Sequence, residues 1–182
     1  MILFLCSPVK DSPPVFRISC YRVIIMKRSN RKVYLLWILL AEAVGGLSGW
    51  LSRRGQREYT LSAVKPPLSP PPLVFPIVWG ILYALMGIGA ARVYLSEKSS
   101  DRSRGLNLFV IQLAVNFFWS LIFFNAQAYL LALIWLLVLW GLVYAMIRAF
   151  SRTDILAARL QVLYLLWLSF ALWLNGGTAY LN

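Results

Sequence analysis

Five apolar segments, each long enough to cross a membrane as a helix, most constrain how this chain can fold. They lie near residues 33–51, 72–95, 106–124, 129–150 and 160–181. About 20 apolar residues in a helix cross a hydrocarbon core of about 30 Å. Only helices or closed barrels satisfy their backbone polar groups in lipid, and these segments lack the alternation of barrel strands. The sequence therefore predicts an all-α integral membrane protein with a single bundle of five transmembrane helices. The gap at residues 125–128 is so short that spans three and four should be antiparallel neighbours.

The composition supports a membrane protein and excludes several kinds of site. Of the 182 residues, 60% are hydrophobic and 13% are charged, whereas soluble domains have about 45–50% and about 25%. The net charge of +12 comes from basic residues before and between the apolar spans, so it indicates topology and no nucleic-acid partner. The chain has no histidine, and Cys6 and Cys20 precede the first span. We therefore expect no metal, no cofactor and no histidine- or cysteine-based catalysis in the membrane domain.

The chain divides into a short extension and one membrane domain. Residues 1–32 contain several prolines and scattered basic residues without the pattern of a signal peptide. We expect them to form a basic, disordered N-terminal extension, and Met26 is an alternative start. Residues 33–182 are expected to form the five-helix domain. Span one contains one acidic residue, Glu42, which must be protonated, paired or turned toward a wet interior.

The segment 65–91 joins a proline-rich loop to an apolar helix. In that helix Phe75, Trp79 and Tyr83 recur every four residues, which places them on one face. The opposite face is also apolar, so the aromatic face should meet other helices or a ligand. Two further stripes have helical spacing, one on span three and one on span five: Gln112, Asn116 and Trp119, and then Tyr164, Trp167, Ala171 and Leu174. Because lipid offers no partner to amide groups, the span-three stripe should point inward.

Three motifs give the chain a resemblance to a known family. The patterns K-P-x-x-x-P-P and V-F-P-x-x-W occur at 65–79, QLAVNFFWSLIFF at 112–124, and YLLWLSFALWLN at 164–175. In this order they resemble the TspO/MBR family of tryptophan-rich sensory and translocator proteins, also called peripheral benzodiazepine receptor-like. The resemblance implies a membrane receptor or sensor that binds flat apolar ligands such as porphyrins in an aromatic-lined cavity. It also implies that Trp79, Trp119 and Trp167 line the cavity and that Ala171 is a small cavity position.

The sequence departs from the family pattern in the loop that would cover the cavity. Leu68 stands where the family commonly has tryptophan, Leu163 replaces a proline, and Tyr59-Thr60 replaces a Trp-Tyr pair. Two alternative functions remain open: light-dependent porphyrin degradation, which the resemblance implies for some relatives, and a part in porphyrin or small-molecule transport. Small residues at Gly45-x-x-x-Gly49 and at Gly87, Gly89, Ala90 and Ala91 permit a homodimer seam or close packing within one chain.

The distribution of lysine and arginine predicts the orientation in the membrane. Fourteen of the 18 basic residues lie in the N-terminal segment and in the second and fourth loops, and four lie in the first loop. Without residues 1–25 the ratio is 11 to 4. The positive-inside rule then predicts a cytoplasmic N-terminus and a non-cytoplasmic C-terminus. A reporter fused after Asn182 should therefore be active only outside the cytoplasm, and a cytoplasmic signal would contradict this topology.

Overall fold

The computed structural model of the protein describes residues 28–182. These residues form five helices: α1 (Arg28–Ser62), α2 (Val74–Leu95), α3 (Ser100–Ser120), α4 (Tyr129–Ser151) and α5 (Ile155–Leu181). A π-helical turn, Leu121–Asn125, continues α3. All five helices are long and apolar enough to cross a membrane, which confirms the predicted fold class. Cys6, Cys20 and Met26 lie outside the described residues.

Helix α1 is longer than the apolar segment that predicted it. It begins at Arg28, not near Val33, and it passes residue 51 to end at Ser62. The region expected to be the first loop is therefore helical as far as Ser62. The reason is that no proline occurs between residue 51 and Pro66, and proline is what disfavours helical geometry in the residue before it. Polarity marked the end of the apolar span but did not end the helix.

Side-chain caps also place two helix starts earlier than hydropathy suggests. The Ser99 side chain accepts a hydrogen bond from the Arg102 backbone N–H at the start of α3. The Asp154 side chain accepts one from the Ala157 N–H at the start of α5. Serine and aspartate are favoured caps because they satisfy an N–H that has no partner within the helix. Consequently α3 and α5 begin six and five residues before their predicted apolar segments, which is about one and a half turns of helix.

The helices pack in a closed order. Helix α1 packs on α2, α2 on α5, α5 on α4, and α4 on α3, while α3 and the π-helical turn return to α1. The contact between α3 and α4 agrees with the short connection between them. Hydrogen bonds at membrane depth join this ring; for example, the Ser48 hydroxyl on α1 donates to the Phe117 carbonyl on α3 at 2.8 Å.

The small residues of α2 serve close packing inside one chain. A Cβ placed on Gly87 would lie 2.5 Å from the Ile38 Cα, so the α1 and α2 backbones approach too closely for any side chain. A Cβ on Gly89 would overlap the Gln161 side chain of α5. Ala90 and Ala91 are fully buried. The small residues in this stretch of α2 are therefore occupied by packing against α1 and α5, as expected for small residues between membrane helices.

An ion pair ties the α2 C-terminus to the α5 N-terminus. Arg92 donates from Nε and Nη2 to the two Asp154 carboxylate oxygens, at 3.1 and 2.7 Å. Both side chains are mostly buried, with 14% and 20% exposed. A two-bond geometry of this kind is among the strongest charge-assisted contacts. Asp154 thus fixes two helices, because the same carboxylate caps α5.

Removing this carboxylate should destabilise the bundle in two separable steps. Asp154→Asn keeps a good capping group but leaves Arg92 without its counter-charge, which should cost about 1–3 kcal/mol. Asp154→Ala also removes the cap, for about 1 kcal/mol more. Asp101→Asn is the control, since the exposed Arg152–Asp101 pair at 3.4 Å should contribute less than about 1 kcal/mol. Thermal unfolding in detergent checks the ranking; equal losses for Asp101 and Asp154 variants would contradict it.

Candidate ligand cavity

A cavity of about 340 Å³ lies inside the bundle between α1, α2, α5 and the end of α3. The loop between α1 and α2 covers its mouth, since Lys65, Ser69, Pro70 and Pro72 contribute to the lining. The remaining wall is mostly aromatic and apolar. Such concave, largely apolar spaces with a few polar groups are typical of small-molecule sites.

Seven of the ten residues predicted for the site line this cavity. They come from three helices: Phe75, Trp79 and Tyr83 on α2, Trp119 on α3, and Trp167, Ala171 and Leu174 on α5. The rings are mutually packed rather than loose. Trp79 stacks on Tyr83 with a centroid distance of 5.4 Å, and Phe75 meets Trp167 edge to face at 6.0 Å. The predicted helical stripes therefore meet at one place.

The other three predicted residues, Gln112, Asn116 and Tyr164, lie behind the cavity wall. Asn116 donates to the Tyr83 hydroxyl at 3.0 Å, and the Tyr164 hydroxyl donates to Gln112 Oε1 at 3.2 Å. All three residues are at most 2% exposed. Their polar groups face each other across α2, α3 and α5. In this structure they brace the aromatic wall and do not border the cavity.

One complete wall, supplied by α1, was not predicted. Its lining residues recur at helical spacing along about 27 Å of helix, taking 1.5 Å per residue: Glu42, Gly45, Gly46, Gly49, Gln56, Tyr59 and Thr60. The signal was present in the sequence, because these small and polar residues share one face of a helix. The part beyond residue 51 was missed because the helix was expected to end there. The part before it was missed because its glycines were assigned to helix packing.

The π-helical turn adds a second group of residues that the sequence did not reveal. The Ala126 N–H bonds to the Leu121 carbonyl at 3.0 Å, so this turn contains an extra residue. It brings Phe123 and Phe124 to the cavity. Phe123 stacks on Trp119 at 5.1 Å and meets Tyr59 edge to face at 5.2 Å. A π-helical turn has no characteristic hydrophobic periodicity, so the spacing of residues could not predict this part of the wall.

The loop over the mouth is fastened to the C-terminal end of α5. The Asn182 side chain bonds both the N–H and the carbonyl of Val64, each at 3.0 Å. The Tyr59 hydroxyl lies 3.1 Å from Thr178 Oγ1, and a Cβ on Gly177 would lie 2.5 Å from Pro66 Cβ. Leu68, expected as a loss of aromatic lid surface, is 78% exposed and does not line the cavity.

The lining offers binding surface rather than an evident catalytic group. Aromatic rings dominate it, and its charged side chains are Glu42 and Lys65 at opposite ends. Trp119 Nε1 donates to Asn175 Oδ1 at 3.3 Å, so this polar edge is already paired. Among residues 28–182, the lining contains no cysteine and no serine paired with a base. The arrangement suits a flat, mainly apolar molecule held between aromatic faces.

Comparison with known proteins gives matches along most of the chain. Residues 37–181 match the sequence model of the TspO/MBR family. The tryptophan-rich protein TspO of Chlorobaculum tepidum is 37% identical over 148 residues, which covers 81% of this chain and 94% of that protein. Protein CrtK of Rhodobacter capsulatus is 36% identical over 122 residues, covering 66% and 76%. The translocator protein of Bos taurus is 34% identical over 139 residues, covering 75% and 82%. Every cavity-lining residue falls inside the matched range.

Replacing Asn116 tests whether the buried amides brace the wall. Asn116→Leu should leave the Tyr83 hydroxyl without its donor and lower stability by about 1–3 kcal/mol. The matched control is Asn107→Leu, because Asn107 lies on the same helix but is exposed. Thermal unfolding of both variants in one detergent gives the comparison. If Asn116→Leu melts like the control, the amide has no bracing role.

Proposed function

This chain belongs to the TspO/MBR family, and we propose that it is a membrane receptor or sensor that binds flat apolar ligands, such as porphyrins, in its aromatic cavity. The observation that carries this proposal is the convergence of aromatic rings from α2, α3 and α5 on one cavity. A flat π-system between such rings gains about 0.5–1.5 kcal/mol per stacked pair beyond the burial of its area. The ten predicted residues divide into seven proposed ligand contacts and three that hold those contacts in place.

Among the cavity rings, Trp119 and Trp167 are suited to stack against a flat ligand. Trp119 is fixed from one side by Phe123 and from its indole N–H by Asn175. Trp167 is fixed by Phe75 and by Phe170 at 5.6 Å. Rings held in place by neighbours lose little freedom when a ligand arrives, which favours affinity. Ala171, which is 9% exposed, leaves room beside them.

The proposed orientation places the cavity mouth on the non-cytoplasmic side. The loop between α1 and α2 and the end of α5 lie at the same end of the bundle, because Val64 bonds Asn182. A non-cytoplasmic C-terminus, as the basic residues predict, then puts this loop outside the cytoplasm. The exposed apolar side chains around the bundle, such as Leu36, Leu130 and Leu166, would face membrane lipid.

Protoporphyrin IX is the probe that tests the proposal directly. Titrated into the detergent-solubilised protein in the dark, it should quench tryptophan fluorescence, because Trp79, Trp119 and Trp167 line the cavity. Replacing these three by phenylalanine should remove most of the quenching. Trp50→Phe with Trp173→Phe is the control pair, since these side chains are 58% and 60% exposed. Absence of quenching in the wild-type protein well above micromolar ligand would overturn the proposal.

A bulky side chain at Ala171 provides a second arm of the same test. Ala171→Phe should fill ligand volume and reduce porphyrin binding at least tenfold, about 1.4 kcal/mol, with little change in melting temperature. Ala43→Phe makes the same change at an exposed position and should leave binding intact. A sharp fall in melting temperature for Ala171→Phe, of the size that overpacking causes (about 1–3 kcal/mol), would indicate a packing seam in place of a ligand space. Loss of porphyrin absorbance only under light would favour the degradation alternative.

A further inference from the structure

Glu42 is an acidic side chain on the cavity wall with no partner in the described part of the chain. It lies in the middle of the apolar segment of α1 and is half-buried. Within residues 28–182 its carboxylate makes neither a hydrogen bond nor an ion pair, whereas Asp101 and Asp154 are both paired with arginine. The lysine of the cavity lining, Lys65, is at the mouth, where it donates to the Thr60 carbonyl.

The position of Thr60, which Lys65 contacts, shows how far Lys65 lies from Glu42. Thr60 lies 18 residues beyond Glu42 on the same helix, which corresponds to about 27 Å along the axis. Lys65 therefore cannot neutralise Glu42, and the inner end of the cavity carries a carboxyl group without a basic partner among the described residues. Acidic residues at such depth are rare and generally face a cavity or a partner. Here the cavity is what Glu42 faces.

The surroundings of Glu42 combine aromatic rings with open space. Gly45, one turn along α1, lies directly against the Tyr83 ring, and Asn116 holds the Tyr83 hydroxyl in place. Trp79 stacks on Tyr83. A Cβ on Gly46 or Gly49 would meet nothing within 4 Å, so the wall beside the carboxylate is unfilled. Aromatic rings next to a carboxylate are the surroundings that favour an organic cation, through attraction to both the ring quadrupoles and the charge.

We propose that Glu42, together with Tyr83 and Trp79, forms a subsite for the ammonium group of a flat aromatic cation. This inference rests on the proposed function, because it assigns one end of the same cavity. It makes Glu42 a specificity-determining residue: neutral flat ligands gain only from stacking, whereas cationic ones also gain a counter-ion in a medium that screens charge weakly. The polar groups near the mouth, including Lys65, do not contribute to this selectivity.

Two probes of the same shape separate charge from size. They are (anthracen-9-ylmethyl)trimethylammonium, a permanent cation, and 9-neopentylanthracene, its neutral isostere. Both are titrated into the full-length protein in nanodiscs and followed by energy transfer from tryptophan. Glu42→Gln should weaken binding of the cation at least about tenfold and change binding of the isostere less than about twofold. Because each probe is compared between two proteins, its partition into lipid cancels.

Glu58→Gln is the matched control, since it removes the same charge from α1 outside this cavity and should change neither affinity. If Glu42→Gln does not fold, Glu42→Asp is the second variant. It keeps the carboxylate but moves it back toward the α1 backbone, so it should weaken binding of the cation and leave binding of the isostere unchanged. Equal weakening of both probes, or none, would overturn the subsite while leaving the proposed function intact. If neither probe binds the wild-type protein and protoporphyrin also fails to bind, the proposed function itself is wrong.

Discussion

Helices surrounded by lipid gain little from hiding apolar side chains, so this bundle depends on buried hydrogen bonds and close backbone contact. The central example is the paired polar contact between α2, α3 and α5. Asn116 bonds Tyr83, and Tyr164 bonds Gln112, with every group nearly inaccessible. An unpaired partner at this depth would have no water to replace the lost bond. These contacts therefore fix the rotation of three helices about their own axes.

Helix rotation in turn decides which side chains face the interior. With Tyr83 held by Asn116, the residue one turn earlier, Trp79, must border the cavity, and Phe75 follows one turn before that. On α5, Tyr164 directs Trp167 and Ala171 in the same way. The bundle is thus divided along its length. The half near Arg92 is closed by Gly87, Ala90 and the Arg92–Asp154 pair, and the half near the proline-rich loop remains open.

The sequence predicted the features that depend on period and composition. Apolar length predicted the five spans, and the short connection predicted that spans three and four are neighbours. Helical spacing predicted the stripes on α2, α3 and α5. The structure has all of these features. Asn116 lies on a predicted stripe, but its hydrogen bond to Tyr83 places it behind the cavity wall. The spacing of residues in the sequence does not predict a single hydrogen bond of this kind. The α1 wall was missed because its glycines before residue 51 were assigned to helix packing, and because a fall in hydropathy after residue 51 was taken as a helix end. The π-helical turn at Leu121–Asn125 breaks the helical period, so Phe123 could not be placed from spacing.

A cavity inside a membrane bundle persists only if its walls cannot collapse into it. Here three of the large rings are each held by a side-chain hydrogen bond: Trp119 by Asn175, Tyr83 by Asn116, and Tyr59 by Thr178. Since a ring so held cannot turn inward without losing a buried hydrogen bond, the open space is maintained by the same interactions that hold the helices together. The cavity is therefore already formed in the folded protein, and a ligand that fits need not reorganise the wall when it binds.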